Sequence, residues 1–358
     1  MDAAGDPAKT TASGRDIVVV AASAGGIEAL QAVLAPLPPD LPASLLVVLH
    51  IPPTGGRALP KILDRAGWLR SAAAVDGEPL RHGRVYVAPP DRHLLVREGG
   101  VHVDHGPKQH GHRPAADPLF QSAASVYGPR VIGVVLSGML DDGATGCAAV
   151  ERAGGVVAVQ DPAESAYDGM PRAALAATEH AVPLRAADLA AFITEQSRRP
   201  PGAARAPGGA GTRLEQRAAA MDPPGTWSGM TCPECGGPLN MRSGDLPPRY
   251  ECRVGHIWSA ASLLDGQADA VERALWVAVL RLEERVRMSE RMAAGAEERG
   301  HRRSAEVFRA SARESGEAVK TLRHLVEGAA PVGGEAEEPE GGDGPGRGGG
   351  RGSGTASR

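Results

Sequence analysis

Three runs of apolar residues each end in a short polar motif, and this pattern constrains the fold more than any other feature of the chain. Ile17-Val18-Val19-Val20 leads into Ala21-Ala22-Ser23-Ala24-Gly25-Gly26. Leu45-Leu46-Val47-Val48 leads into His50-Ile51-Pro52-Pro53. Val131-Ile132-Gly133-Val134-Val135-Leu136 leads into Ser137-Gly138-Met139-Leu140-Asp141-Asp142-Gly143. Short apolar runs without alternation fit strands buried on both faces, as in a parallel sheet covered by helices. Open parallel sheets do their chemistry beyond the carboxyl ends of the strands. Ser, His and Asp at three such ends are the residue types of a nucleophile, a base and a group that orients the base.

The remaining pattern from 15 to 196 alternates strand-like and helix-like segments, which implies a doubly wound, mostly parallel α/β sheet. One stretch, about 72–105, breaks the alternation. Val85-Tyr86-Val87-Ala88, His93-Leu94-Leu95-Val96 and Val101-His102-Val103 are separated by Pro-Pro-Asp and Gly-Gly, and read as short antiparallel strands inserted at one edge. Only 3% of the 358 residues are aromatic although 42% are hydrophobic, so Ala, Val and Leu must build the core. The net charge of −4 carries no polybasic signature, and nucleic acid is not an expected partner. No apolar stretch is long enough to insert in a membrane. Residues 1–14 are polar, lack the apolar region of a signal peptide and are expected to be disordered, which points to the cytoplasm.

Residues 197–225, rich in Pro, Gly, Ala and Arg, read as a flexible linker. A compact module over 226–260 follows, then a helical hairpin over 261–328. In the hairpin Leu275, Val279, Leu282 and Val286 recur at spacings of three and four, answered by Phe308, Ala312, Val319, Leu322 and Val326. An antiparallel pair burying its own seam is expected, with a partner-binding coiled coil as the alternative. The Gly- and Glu-rich tail 329–358 is expected to be disordered.

Three of the four cysteines cluster in the module. Cys232-Pro-Glu-Cys235 and Cys252-Arg-Val-Gly-His256 give four nitrogen and sulfur ligands in two knuckles, with Gly236 and Gly237 allowing the turn after the first. This suits a tetrahedral, closed, structural zinc site, and the segment reads as zinc-ribbon-like. Cys147 reads as a small buried hydrophobe. His93, His105, His110 and His112 show no recognisable ligand spacing and read as surface histidines.

Over about 15–195 the sequence resembles the catalytic domain of CheB-type protein-glutamate methylesterases. The resemblance rests on Ala22-Ser23-Ala24-Gly25-Gly26-Ile27-Glu28-Ala29-Leu30, Leu49-His50-Ile51-Pro52, Tyr86-Val87-Ala88-Pro89-Pro90-Asp91-Arg92-His93, His112-Arg113-Pro114-Ala115-Ala116-Asp117-Pro118-Leu119-Phe120, Leu136 through Ala144, Gln160-Asp161 and Gly169-Met170-Pro171. It implies Ser23 as nucleophile, His50 as base and Asp142 as the residue orienting that base. It also implies the Met139 amide as an oxyanion donor, with Ala24 and Gly25 beside it. Arg113 either shapes the substrate entrance or forms an ion pair at a helix start, where Asp117 also stands.

The implied reaction is hydrolysis of glutamyl methyl esters on chemoreceptor-like proteins, with deamidation of glutamines as a second activity. No cofactor is needed for that catalysis. The family usually has Gly at 21, Thr at 24, Gln at 49, Met at 51 and Gly at 140, where this chain has Ala21, Ala24, Leu49, Ile51 and Leu140. Ala24 and Leu140 keep open an alternative, a catalytically weak scaffold binding a signalling partner through its C-terminal module. A dinucleotide-binding oxidoreductase is disfavoured, because G-x-G-x-x-G is not met and no acidic residue ends the second strand. With the sheet starting near Gly14, control by a phosphoacceptor domain in cis is not expected.

Overall fold

The computed structural model describes residues 14–53, 55, 58–202, 225–242 and 248–328. Except at their edges, the expected N-terminal segment and linker lie outside the described residues, as does the tail from 329. Seven strands form one sheet: β1 (Ile17–Ala22), β2 (Ser44–Leu49), β3 (Arg70–Ala73), β4 (Arg84–Val87), β7 (Val131–Val135), β8 (Val156–Gln160) and β9 (Val182–Leu184). Their order is β3-β4-β2-β1-β7-β8-β9, and every neighbouring pair is parallel.

Alternate residues of β1 feed the two faces of the sheet. Val18, Val20 and Ala22 pack with α1 (Gly26–Leu34), α2 (Leu59–Asp64) and α6 (Ala186–Arg198). Ile17, Val19 and Ala21 pack with α3 (Ala116–Tyr127), α4 (Ala144–Arg152) and α5 (Gly169–Ala177). The few aromatic residues in this core, Tyr86 and Phe120, are fully buried on that second face. Burying both faces explains why the strands read as uninterrupted apolar runs. Cys147 is buried among these residues, and burial pushes its thiol up, away from reactivity.

The expected antiparallel insertion is smaller than the sequence suggests. Only β5 (His93–Arg97) and β6 (Gly100–Asp104) form an antiparallel hairpin. Val85-Tyr86-Val87 belong to β4, which pairs in parallel with both β2 and β3. Their complete burial is the physical reason: both faces of β4 are covered, which the main sheet provides and a surface hairpin does not.

The chain winds from β1 outward through β2 and β4, then returns to β7 on the other side of β1. The switch in winding direction therefore lies between β1 and β7, where such sheets open a crevice at their carboxyl ends.

A separate four-stranded antiparallel sheet, β10 (Thr226–Thr231), β11 (Pro238–Arg242), β12 (Arg249–Cys252) and β13 (Ile257–Trp258), carries the clustered cysteines. It forms one compact unit with the large sheet, a unit that extends to Val271. The join is a strand-like contact: the His110 amide donates to the Ile257 carbonyl at 2.7 Å, and Gln109 bridges Ile257 in parallel.

The second unit, from Glu272, contains the rest of α7 (Ala260–Glu298) and α8 (Arg302–Gly328). Gly300, at φ +76°, stands in the turn between the two helices. Val279, Ala293, Ala296, Ala305 and Ala312 are buried in this unit, and Arg323 bonds Glu283 across the pair at 2.6 Å. No helix among the described residues is long and apolar enough to cross a membrane.

Candidate active site

Ser23 and His50 follow the last residues of adjacent parallel strands, and the backbone ties them together. The His50 amide donates to the Ala22 carbonyl at 3.1 Å, and the Ser23 amide donates to the Ser137 carbonyl at 2.9 Å. Ser23 therefore lies between the ends of β2 and β7. Ser137 locks the turn after it, with its hydroxyl donating to the Ala24 carbonyl at 2.7 Å. Gly25 caps α1 at φ +69°, and a side chain there would meet Ser137 Oγ at 2.8 Å. Gly138 makes room for Ser23 itself: a Cβ at 138 would lie 2.9 Å from Ser23 Cβ and 2.2 Å from Met170 Sδ. The backbone amides of Ala24 and Met139 find no acceptor among the described residues.

Asp142 accepts from His50 Nε2 at 2.8 Å. The first turn of α3 holds the same carboxylate, with the Ala116 amide on Oδ2 at 2.6 Å and the Asp117 amide on Oδ1 at 3.0 Å. A helix N-terminus offers unpaired amides and a positive dipole end, which suits a fixed carboxylate. Burial pushes the Asp142 carboxyl up. The His50 hydrogen bond and the charge on His110 outweigh burial and hold it well below the usual range. Asp142 is thus an anion at neutral pH, fixing His50 with Nε2–H toward the carboxylate. The other ring nitrogen, His50 Nδ1, is buried without a hydrogen-bond partner among the described residues. Ser23 and His50 are not hydrogen-bonded to each other here, as is common when no substrate is bound.

His112 stacks on His50, with ring centroids 4.0 Å apart and planes 8° from parallel. Burial and the adjacent His50 lower the His112 imidazole to about 3, so it is a neutral plate against the base. Arg113 turns elsewhere: its guanidinium pairs with Asp91 Oδ1 at 2.7 Å and donates to the Gly106 carbonyl at 2.8 Å. Its observed partners are those of an ion pair that ties together the loop before α3.

The surface assignment of the histidines holds only for His105, whose side chain is about half exposed. His93 is buried, its Nε2 bonded to the Pro107 carbonyl and its Nδ1 accepting from the Ala115 amide. His110 is buried against Asp117 at 3.1 Å. Burial works against its charge, but the Asp117 hydrogen bond and the charges of Asp142, Asp117 and Asp141 outweigh burial and raise its pKa. Ligand spacing was the wrong criterion for these residues. The chain from 105 to 117 folds back over the strand ends, a path no local pattern encodes. The only sequence signal was the presence of His112 and Asp117 in the same short block as Arg113.

In the cysteine module the ligand atoms of Cys232, Cys235, Cys252 and His256 all lie within 4.8 Å of one another. Cys235 Sγ is 3.6 Å from Cys252 Sγ, and His256 Nδ1 is 3.4 Å from Cys252 Sγ and 3.7 Å from Cys232 Sγ. Trp258 Nε1–H donates to Cys232 Sγ at 3.4 Å. Leu239, Trp258 and Leu263 complete a small core around the sulfurs.

Residues 18–193 match the model of the CheB methylesterase family. This stretch, just under half of the chain, is a CheB methylesterase domain. A protein-glutamate methylesterase/protein-glutamine glutaminase of Caulobacter vibrioides is 42% identical over 172 residues, 47% of this chain and 50% of that relative. One from Anaeromyxobacter dehalogenans is 48% identical over 163 residues, 45% of this chain and 48% of that relative. The chain thus spans about half the length of the curated relatives it matches. Among solved structures, the CheB methylesterase catalytic domain of Thermotoga maritima is 33% identical, covering 50% of this chain and 97% of that one at a TM-score of 0.47.

The family match covers Ser23, His50, Met139 and Asp142 and stops before the cysteine module.

Proposed function

We propose that the protein is a protein-glutamate methylesterase that hydrolyses glutamyl methyl esters on cytoplasmic segments of chemoreceptor-like proteins, with glutamine deamidation as a second activity. The observation that carries this reading is the chain Asp142–His50 ending in an unpartnered Nδ1 beside the strand end that bears Ser23. His50 Nδ1 takes the Ser23 proton as Oγ attacks the ester carbonyl. The tetrahedral oxyanion accepts from the Ala24 and Met139 amides, which have no other acceptor among the described residues. The protonated His50 then gives its proton to the leaving methoxide, and methanol departs. Water attacks the resulting acyl-Ser23 by the same route in reverse, freeing the glutamate and the serine. Asp142 stays ionised and stabilises the imidazolium.

Cys232, Cys235, Cys252 and His256 are assigned to a structural zinc ion. Tetrahedral zinc with ordinary bond lengths spaces its ligands about 3.5–3.8 Å apart. The sulfur–sulfur and sulfur–nitrogen separations of 3.4–3.7 Å fit that spacing. No catalytic step uses the metal.

The test is methanol release from methylated receptor signalling fragments. Native protein is expected to turn over and Ser23→Ala to fall to background. Absence of turnover from folded native protein across several receptors would favour the scaffold alternative.

A further inference from the structure

Behind Asp142 lies a buried ion pair whose cation comes from the cysteine module. Asp117 is fully buried on α3, and its carboxylate accepts from the Gly146 amide at 2.7 Å, from Thr145 and from His110. Its strongest partner is distant in sequence: Arg249 on β12, itself buried, donates from Nη2 to Asp117 Oδ2 at 2.5 Å. A second link runs alongside. Ser259, next to β13, donates to Asp141 Oδ1 at 2.7 Å, and Ser262 Oγ lies 3.2 Å from His110 Nδ1.

Asp117, Asp141 and Asp142 thus crowd a site whose cations are His110 and Arg249, with His50 at its edge. Burial pushes Asp117 toward protonation, and the Arg249 charge is the largest influence holding it ionised. The backbone amide of this same residue donates to Asp142 Oδ1.

We propose that Arg249 is a positioning residue for the esterase: the cysteine module clamps Asp117, so that the first turn of α3 holds Asp142, and through it His50, in the reactive orientation. The proposal rests on the reading of Ser23 as an activated nucleophile. It makes the module part of the active-site support rather than an appended domain. Arg249 lies outside the family match, so the support is specific to chains that carry this module.

The test is the rate at which a fluorophosphonate labels Ser23 in the full-length, metal-loaded protein. Arg249→Met is expected to slow labelling 10- to 100-fold, a size typical of losing a supporting contact one step behind a reacting group. Its saturation constant for the probe should stay unchanged, and the acid limb of the pH–rate profile should move to higher pH. That sign follows because the Arg249 charge holds the Asp117 carboxylate ionised, and removing it favours protonation there. Arg249→Lys keeps the charge but not the fork, and should recover part of the rate and restore the profile. If Arg249→Met fails to fold, Arg249→Lys decides: a several-fold slower rate supports the clamp, and a native rate overturns it. Native labelling and an unmoved profile in folded Arg249→Met would also overturn it. A slowed variant in a protein that releases no methanol from receptors would support the clamp and sink the methylesterase reading instead.

Discussion

Asp142 carries the most weight of any single residue, because it joins His50 to the α3 amides. Asp142→Asn keeps the size of the side chain but offers an NH2 where His50 Nε2–H now donates, which turns the imidazole to the wrong tautomer. A fall of about 10³- to 10⁴-fold in kcat with little change in KM is expected, read by methanol release. Gly138→Ala acts on the nucleophile instead. The added methyl meets Ser23 Cβ and Met170, so Ser23 labelling should fall more than about 10-fold while the fold persists.

Leu140 stands where the family usually has Gly, and it adopts φ +60°. Left-handed backbone costs a non-glycine residue about 1–2 kcal/mol, while glycine loses about 0.5–1 kcal/mol through the unfolded chain. Leu140→Gly should therefore change stability by less than about 1 kcal/mol in urea unfolding, whereas the β-branched Leu140→Val should cost more. The departure at 140 is a local strain, and Leu140 itself is half-buried. Ser23, His50 and Asp142 were legible because each ends or follows an apolar strand. His112 and Asp117 were not, since their roles arise only when distant segments meet.

At the scale of elements, periodicity and burial explain what could and could not be read. The runs at β1, β2, β7 and β8 were recognisable because covering both faces demands unbroken apolar residues. The same signature was present in Val85-Tyr86-Val87, but the neighbouring turns drew β4 into the hairpin reading. The short β9 carries little apolar pattern, with Val182 and Pro183 exposed at the sheet edge, so sequence alone did not reveal it. With the proposed zinc, the cysteine module would depend on its metal more than on its small core. Chelation, or Cys235→Ser, should unfold it and shift Trp fluorescence to the red, because Trp258 is buried while Trp68, Trp227 and Trp276 are exposed. An unshifted spectrum after complete metal removal would contradict the assigned zinc role.

Across the whole molecule, two histidines, His110 buried and His112 half-buried, set opposite limits on stability. The folded pKa of His112 is lowered to about 3, against about 6.5 for an unfolded histidine. Between these values the unfolded chain binds the extra proton, so stability falls as pH drops through that window. His110 has a raised pKa, so its contribution is fully present below about 6.5 and is lost as pH rises through its folded value. Urea unfolding against pH should therefore weaken on both sides of about 6.5, and His112→Phe should flatten the acid side only. The arrangement of the whole molecule was the least legible level. The linker composition read as flexible, yet Arg249, Ser259 and Ser262 bond Asp117, Asp141 and His110. Composition reports flexibility between segments, but not where the second segment docks.

The central claim is that Asp142 and His50 make Ser23 a nucleophile. Fluorophosphonate labelling of the native protein, mapped by peptide mass spectrometry, tests it directly and without knowledge of the receptor. One adduct per chain is expected, on Ser23, absent after His50→Gln. An unmodified Ser23 in folded protein, or equal labelling of the His50→Gln variant, would contradict it.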